Sequence, residues 1–250
     1  MDTKTPKYGP KTFGDVKAKH HLIGVLNEKS LHAKLKEWYF QPGDRFEEII
    51  DGFHIDIVRN KLLIEIQTQN FSSIKRKLTV LLKQFAIRLV FPIAREKWIV
   101  RFAKDGTTQL GRRKSPKKGN IFNLFEELVS SPNLIKDQNF SIEVLITLEE
   151  EIRRDDGLGS WRRRGWSIAD RRLLEVVNRH IFEKPSDFLT LIPPTLPDPF
   201  STKELAECTN QPRWLTQKMA YCLRKIGVVK AVGKNGNSVL YTKHISLESS

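Results

Sequence analysis

The chain carries only two cysteines, Cys208 and Cys222, in 250 residues. That excludes a disulfide framework and a zinc site built from thiolates alone, and makes a reducing, intracellular setting the expectation. No apolar run approaches the ~20 residues of a bilayer-spanning helix, and Met1-Asp2-Thr3-Lys4 lacks a signal peptide's apolar segment. A cytoplasmic, nucleoid-associated protein with no membrane partner is expected, and no internal repeat is present. Negative charge is also scarce: 29 acids face 43 Lys plus Arg, for a net +14. Such an excess favours a polyanionic partner through counterion release. Hydrophobic content of 39% with 29% charged residues suits a folded chain with a real core, as one large domain or a few small ones.

The positive charge is clustered. Residues 101–120 hold seven basic side chains, among them Arg112, Arg113, Lys114, Lys117 and Lys118, against the single acid Asp105. Residues 153–172 hold seven arginines against three aspartates. The 112–118 loop combines charge with Gly and Pro, so it can follow a phosphate backbone or simply lie in solvent. In Trp161-Arg162-Arg163-Arg164-Gly165-Trp166, indoles flanking three arginines can stack on bases while the guanidiniums meet phosphates. Alternatively both tryptophans anchor the loop in the core. Glu149-Glu150-Glu151 and Asp155-Asp156 lie near enough in sequence to pair with these arginines, or to form a second cation site.

Along the chain, residues 1–19 read as a flexible basic arm. Leu22, Leu26, Leu31, Leu35 and Trp38 recur near helical spacing over 20–39. Arg45–Asp51 reads as an edge strand, and Ser72 or Ser73 caps a helix running to about Phe85. Ile87–Ile93 and Lys97–Phe102 read as two strands, and Phe140–Leu148 as another. Helices are expected over Ile121–Val129 and Ile168–Ile181. Ile192-Pro193-Pro194-Thr195-Leu196-Pro197-Asp198-Pro199 reads as a stiff linker and the clearest boundary.

The most informative stretch is Gly52–Gln67, two strands around a turn at Asn60-Lys61. Phe53, Ile55 and Ile57 should share one face of the first, with His54, Asp56 and Val58 on the other. In the second, Leu62, Ile64 and Ile66 alternate with Leu63, Glu65 and Gln67. Pairing the strands can bring Asp56 and Glu65 together, which is costly unless a proton or a divalent cation joins them. A bland alternative leaves both acids solvated and paired with Lys61 or Arg59. His54 reads as a hydrogen-bonding neighbour, and His20-His21 has no matching acids.

Gly-x-x-x-Asp followed after eight residues by Glu-x-Gln, set between helices, resembles the PD-(D/E)xK nuclease superfamily over about residues 20–102. The resemblance implies an α/β fold with a restriction-endonuclease-like mixed sheet flanked by helices. It implies a Mg²⁺ (or Mn²⁺) held by Asp56 and Glu65, hydrolysis of DNA phosphodiesters, and a homodimer where both strands of a duplex are cut. Glu28 matches an extra acid that some members place on the preceding helix. Gln67 stands where the family usually has lysine; glutamine can orient a water but brings no charge, and Lys75 or Lys77 on the next helix is placed to reach back. An inactive relative would bind DNA without cutting it.

The C-terminal segment resembles a winged helix-turn-helix over about residues 195–245. Ser201-Thr202-Lys203-Glu204 is a capping box, Asn210 or Gln211 caps the second helix, and Val228–Val232 and Ser238–Thr242 form a hairpin. The resemblance places Arg213, Trp214, Gln217 and Lys218 on the surface that meets base edges, with Lys234 and Asn235 on the wing. The expected organisation is an arm (1–19), a nuclease core (20–103), a basic middle region extending it (104–191), and a linker with the winged helix-turn-helix (192–250).

Overall fold

Strands rich in β-branched and aliphatic residues dominate the computed structural model, which describes residues 30–244. The chain runs α1 (Ser30–Tyr39), β1 (Arg45–Ile50), β2 (Phe53–Arg59), β3 (Leu62–Ile66), α2 (Lys75–Leu81), β4 (Ala86–Phe102), β5 (Gln109–Lys114), α3 (Leu124–Leu128), β6 (Phe140–Arg154) and β7 (Ser167–Phe182). A C-terminal group follows: α4 (Thr202–Thr209), α5 (Arg213–Ile226), β8 (Val229–Asn235) and β9 (Ser238–Lys243). Strands β1–β7 form one mixed sheet in the order β1-β2-β3-β4-β6-β7, with β5 added to β4. β3, β4 and β6 run parallel; the remaining pairs are antiparallel. The protein is therefore mixed α/β, with a central sheet flanked by helices. No helix among the described residues is long and apolar enough to cross a membrane. The arm, His20-His21, Leu22 and Leu26 lie outside the described residues.

Several elements differ from the sequence expectation. Ile87–Phe102 is one strand, because β4 carries its pairing with β6 through an irregularity between Ala94 and Glu96 instead of turning. Residues 168–181 are strand, not helix. β7 pairs with β6 across three register shifts, and each extra residue (Val177, Leu174, Ala169) breaks the period-2 alternation. Apolar residues then recur three or four apart, which mimics a helix. The helix after β3 is shorter than expected: Phe71–Ile74 is a 3-10 turn, and neither Ser72 nor Ser73 caps α2. On α1, Tyr39 rather than Trp38 joins Leu31 and Leu35 on the buried stripe.

The two sides of the sheet are covered differently. α1 packs through Leu31, Leu35 and Tyr39 on Ile57, Ile64, Ile66, Val90 and Leu145. It is also tied down by polar bonds. Ser30 N donates to Asp170 Oδ1 at 3.1 Å, and Tyr39 Oη donates to the fully buried Glu143 Oε2 at 2.5 Å. Burial and the charge of Glu143 push the Tyr39 phenol up to about 12. The opposite core takes α2, α3 and the C-terminal helices together.

That shared core corrects the linker reading. Ile192, Leu196 and Phe200 are buried in the same cluster as Phe125, Phe140, Phe188 and the inner face of α5. The proline-rich stretch thus docks the C-terminal helices against the sheet. Ser201 caps α4 as the capping box predicts, its Glu204 Oε2 accepting from Ser201 N at 2.6 Å. Pro212, not Asn210 or Gln211, precedes α5, and Gly227 ends it at φ +92°. β8 runs on to Asn235, so the hairpin turn is tighter than expected.

Phe188 sits fully buried between Phe125 of α3 and Phe182 of β7, with ring centroids at 6.2 and 4.5 Å. Phe188→Ala should lower stability by about 3–5 kcal/mol. Urea unfolding should remain a single transition, seen identically by far-ultraviolet circular dichroism and by the fluorescence of a variant that keeps Trp214 and has the other four tryptophans replaced by phenylalanine. Separate transitions would show that the C-terminal helices fold apart from the sheet.

Candidate functional site

β2 and β3 pair only from Ile57↔Ile64 to the turn, so the strands part at the level of Asp56 and Glu65. Asp56 makes the parting possible, because its Oδ2 accepts from Ile66 N at 2.7 Å in place of a strand partner. β2 also turns over here: Ile55 and Ile57, expected on one face, enter opposite halves of the core. Leu63 and Glu65 keep their expected side, towards α2.

The two carboxylates are nearly dry, with side chains 14% exposed at Asp56 and 11% at Glu65. The solvated alternative is thereby excluded; Arg59 pairs instead with Asp44, its Nη2 at 2.8 Å from Oδ2. His32 of α1 brings its Nε2 to 3.2 Å from Asp56 Oδ2. Burial alone would raise the Asp56 carboxyl, but the His32 contact, the Ile66 amide and the charge of Lys36 hold it below the usual range. Glu65 goes the other way: burial first, then the charge of Asp56, push it up to about 7. Lys77 of α2 opposes that rise, donating from Nζ to Glu65 Oε2 at 2.6 Å and also to the His54 carbonyl. Of the two lysines placed to reach back, Lys77 does so and Lys75 is exposed.

Gln67 departs from its expected role. Its Nε2 donates to the carbonyls of Gln69 (2.5 Å) and Asn70 (3.2 Å) and to Ser73 Oγ (3.3 Å). The amide therefore shapes the loop that leads into α2 and so helps place Lys77. The His54 ring is exposed. Glu28 lies outside the described residues. His32 was not singled out from sequence; its position on the helix preceding the acids, two residues into α1, is the signal that was available. Among the described residues no group of three or more His, Cys, Asp or Glu is arranged to hold a metal ion.

The expected basic surface is divided. Arg112 Nε pairs with Glu150 at 2.8 Å and Lys114 Nζ with Glu96 at 2.6 Å, both stacking on Trp98. Arg113, Lys117 and Lys118 are exposed. The run Glu149-Glu150-Glu151 is matched by cations: Arg171 on Glu149, Arg112 on Glu150, and Lys97 with Arg153 on Glu151. That pairing corrects the second-cation-site alternative. At the β6–β7 tip Trp161 is 82% exposed with Arg162 against its ring, and Arg164 is exposed. Arg163 turns back, donating to the Trp166 carbonyl, and Trp166 is the indole that packs inward, under Arg101. On α5, Arg213, Trp214 and Gln217 are exposed and Lys218 lies over the Trp214 ring. Lys234 and Asn235 are exposed at the β8–β9 turn.

The fold and site define a mixed α/β protein with a buried two-carboxylate centre where antiparallel strands part. Residues 29–183, from α1 through β7, match the family described as Domain of unknown function (DUF8091). The chain belongs to that family. It is also 28% identical over 228 residues to an "Uncharacterized protein" of Treponema pallidum (strain Nichols), covering 88% of this chain and 87% of that one. An overlap of that extent necessarily runs past residue 183 into the C-terminal region. No solved structure matches the chain.

In a folded protein that keeps Glu65 protonated to about pH 7, against about 4.3 in an unfolded chain, the stabilisation is complete below pH ~4 and is lost as pH rises through 7. Without divalent cations, the wild type should therefore lose stability relative to Glu65→Gln between pH 5 and 8, by on the order of 1–3 kcal/mol. Urea midpoints in chelator at both pH values measure this. Parallel pH dependence in the two proteins would mean Glu65 titrates as an ordinary exposed acid.

Proposed function

We propose that this protein is a divalent-cation-dependent deoxyribonuclease of the PD-(D/E)xK type, with α4, α5 and the β8–β9 hairpin serving as a winged helix-turn-helix that holds duplex DNA. The observation that carries the reading is the buried Asp56–Glu65 pair at the parting of β2 and β3, with Glu65 raised first by burial and then by the charge of Asp56. Like charges that act on each other out of water store a cost that a proton or a cation relieves. The element order α1, three-strand meander, α2, β4 supports the same reading, as does the parallel pairing of β3 with β4.

The side chains suit a hard cation. Mg²⁺ commonly takes one or two carboxylates and leaves its other positions to water and substrate phosphate, so a complete protein cage is not required. Asp56 and Glu65 would hold it, with His32 positioning the Asp56 carboxylate through its Nε2 contact at 3.2 Å. When bound, such an ion supplies an activated water and neutralises phosphate charge. The protein's own part is then distinct. Asp56 and Glu65 set the position, the surrounding apolar core excludes bulk water, and Lys77 supplies the positive charge that Gln67 lacks. Lys77, its Nζ 2.6 Å from Glu65 Oε2, would be placed to offset negative charge on a substrate phosphate. Gln67 acts through the loop before α2.

Cleavage of labelled DNA with Mg²⁺ or Mn²⁺ tests this. Asp56→Asn and Glu65→Gln should each lower the rate by at least ~100-fold, and Lys77→Ala by about 100-fold, with DNA affinity retained. Gln67→Ala should cost less than ~10-fold. The Lys77–Glu65 pair also fits a nuclease-like scaffold that binds DNA without cutting it, as in a transcriptional regulator. No cleavage of any form of DNA under either metal, with duplex binding retained, would favour that reading instead, and preference for RNA would change the substrate. In either case, Lys218→Ala and Arg213→Ala should weaken duplex binding and each lower the salt slope by about 1. An unchanged slope would remove α5 from the interface.

A further inference from the structure

Beside the two-carboxylate centre lies a cleft of about 350 Å³ that the cleavage reading leaves unused. Its position follows from strand register. Glu65 pairs with Leu89, and the cleft wall begins at Phe91, two residues or ~7 Å further along β4. At its other end it reaches Gly119, next to Asn120, whose Nδ2 donates to Gln211 Oε1 at 3.1 Å just before α5. The cleft thus lies along β4 beyond the acids, walled by β4, β6, β7, α3 and the loop after β5.

Its lining has three chemically distinct parts. Phe91, Pro92, Ile93 and Ala94 give an apolar surface. Lys97, Arg153 and Arg171 of the strands, with Lys117 from the loop after β5, give positive charge. β6 adds Glu151, which pairs with Lys97 and Arg153, and α3 with the turn before it contributes Glu126, Glu127 and Asn123. Glu127 is already used, its Oε2 accepting from Phe71 N at 3.1 Å, while one oxygen of Glu126 accepts from Asn123 Nδ2 at 2.6 Å. The strand cations are pre-ordered. Burial alone would raise the Glu151 carboxyl, yet Lys97 and Arg153 hold it below the usual range, and Arg171 is fixed on the buried Glu149. Lys117 makes no ion pair among the described residues.

We propose that this cleft is a nucleotide-binding subsite, taking one base and its phosphate. A flat aromatic base matches the apolar strip in size and surface, and a cleft of this volume is at the lower end of ordinary small-ligand sites. Phosphate oxygens accept from Lys117 and the strand guanidiniums. Glu126 accepts from an amino group on the base edge, which selects guanine, adenine or cytosine over thymine and uracil. Of the three carboxylates in the lining, Glu151 is matched by Lys97 and Arg153 and Glu127 by the Phe71 amide; a simple anion site leaves Glu126 unexplained, whereas a ligand with donors at one end and negative charge at the other accounts for it. The nucleotide could be a free monophosphate or one unit of a bound strand. The second rests on the proposed DNA cleavage; the first does not.

The test uses the full-length chain carrying Asp56→Asn, in chelator, so that binding is read without hydrolysis. Calorimetric titration with guanosine 5′-monophosphate, uridine 5′-monophosphate, inorganic phosphate and a five-nucleotide single strand gives the affinities. The expected order is guanosine monophosphate tighter than uridine monophosphate, with phosphate alone weakest. Lys117→Ala should weaken both nucleotides about tenfold, and Glu126→Gln should weaken the guanosine form while leaving the uridine form within about twofold. Unfolding midpoints within 2 °C of the parent establish that each variant is folded. A pentanucleotide about tenfold tighter than the monophosphate identifies the strand as the source; equal affinities identify the free nucleotide. Absence of nucleotide binding, or binding unmoved by both variants, overturns the subsite even if DNA is cleaved. Nucleotide binding in a protein that never cleaves DNA leaves the subsite standing and removes only the nuclease.

Discussion

Carboxylates held out of water are the constraint around which this sheet is arranged. Glu143 and Glu149 are fully buried, Glu151 nearly so, and Asp56 and Glu65 little less. An unpaired buried charge costs several kcal/mol, so each demands a donor from a different element. Glu143 takes the Tyr39 hydroxyl and sits 2.8 Å from Arg179. Glu149 takes Arg171, and Glu151 takes Lys97 and Arg153. These pairs cross from α1 to β6, and among β4, β6 and β7, so the polar network fixes the same neighbours that the apolar core fixes. Asp56 and Glu65 differ from the others in one respect. Each has its partner, His32 or Lys77, yet the charge of the first is still felt at the second.

The same network changes the meaning of the basic excess. Much of the positive charge is engaged internally: Arg59 on Asp44, Arg88 on Glu183, Arg112 on Glu150, Lys114 on Glu96. What remains outward is concentrated in a few places, the Trp161–Arg162 tip, the loop at Lys117 and Lys118, and the Arg213–Lys218 face of α5. A polyanion would meet discrete contacts with aromatic planes beside them, not a uniformly charged surface. Such contacts suit bases and phosphates together better than phosphates alone.

Docking of the C-terminal helices through Phe188, Leu196 and Phe200 places α5 in one core with the strands that carry the acids. Any ligand gripped by α5 is then held in a set relation to the cleft and to Asp56 and Glu65. Rigid placement of this kind is what positional catalysis and ordered strand recognition both need.

Local chemistry was readable where a few adjacent residues decide the outcome. The β2–β3 hairpin that carries Asp56 and Glu65, the Ser201–Glu204 cap and the β8–β9 hairpin all follow from spacing and side-chain type, because their partners lie within a turn or a strand pair. Three features were beyond such reading. β7 looked helical because its bulges, set by pairing with β6, scramble the alternation. The 192–199 stretch looked like a linker because only the fold reveals the core beneath Leu196. The assignment of His32 and Lys77 to the two acids, and of Gln67 to the loop, depends on how α1 and α2 lie on the sheet. Sequence determined which residues could carry the chemistry; tertiary structure decided which of them meet, since contacts between distant segments are chosen by packing and desolvation and not by proximity along the chain.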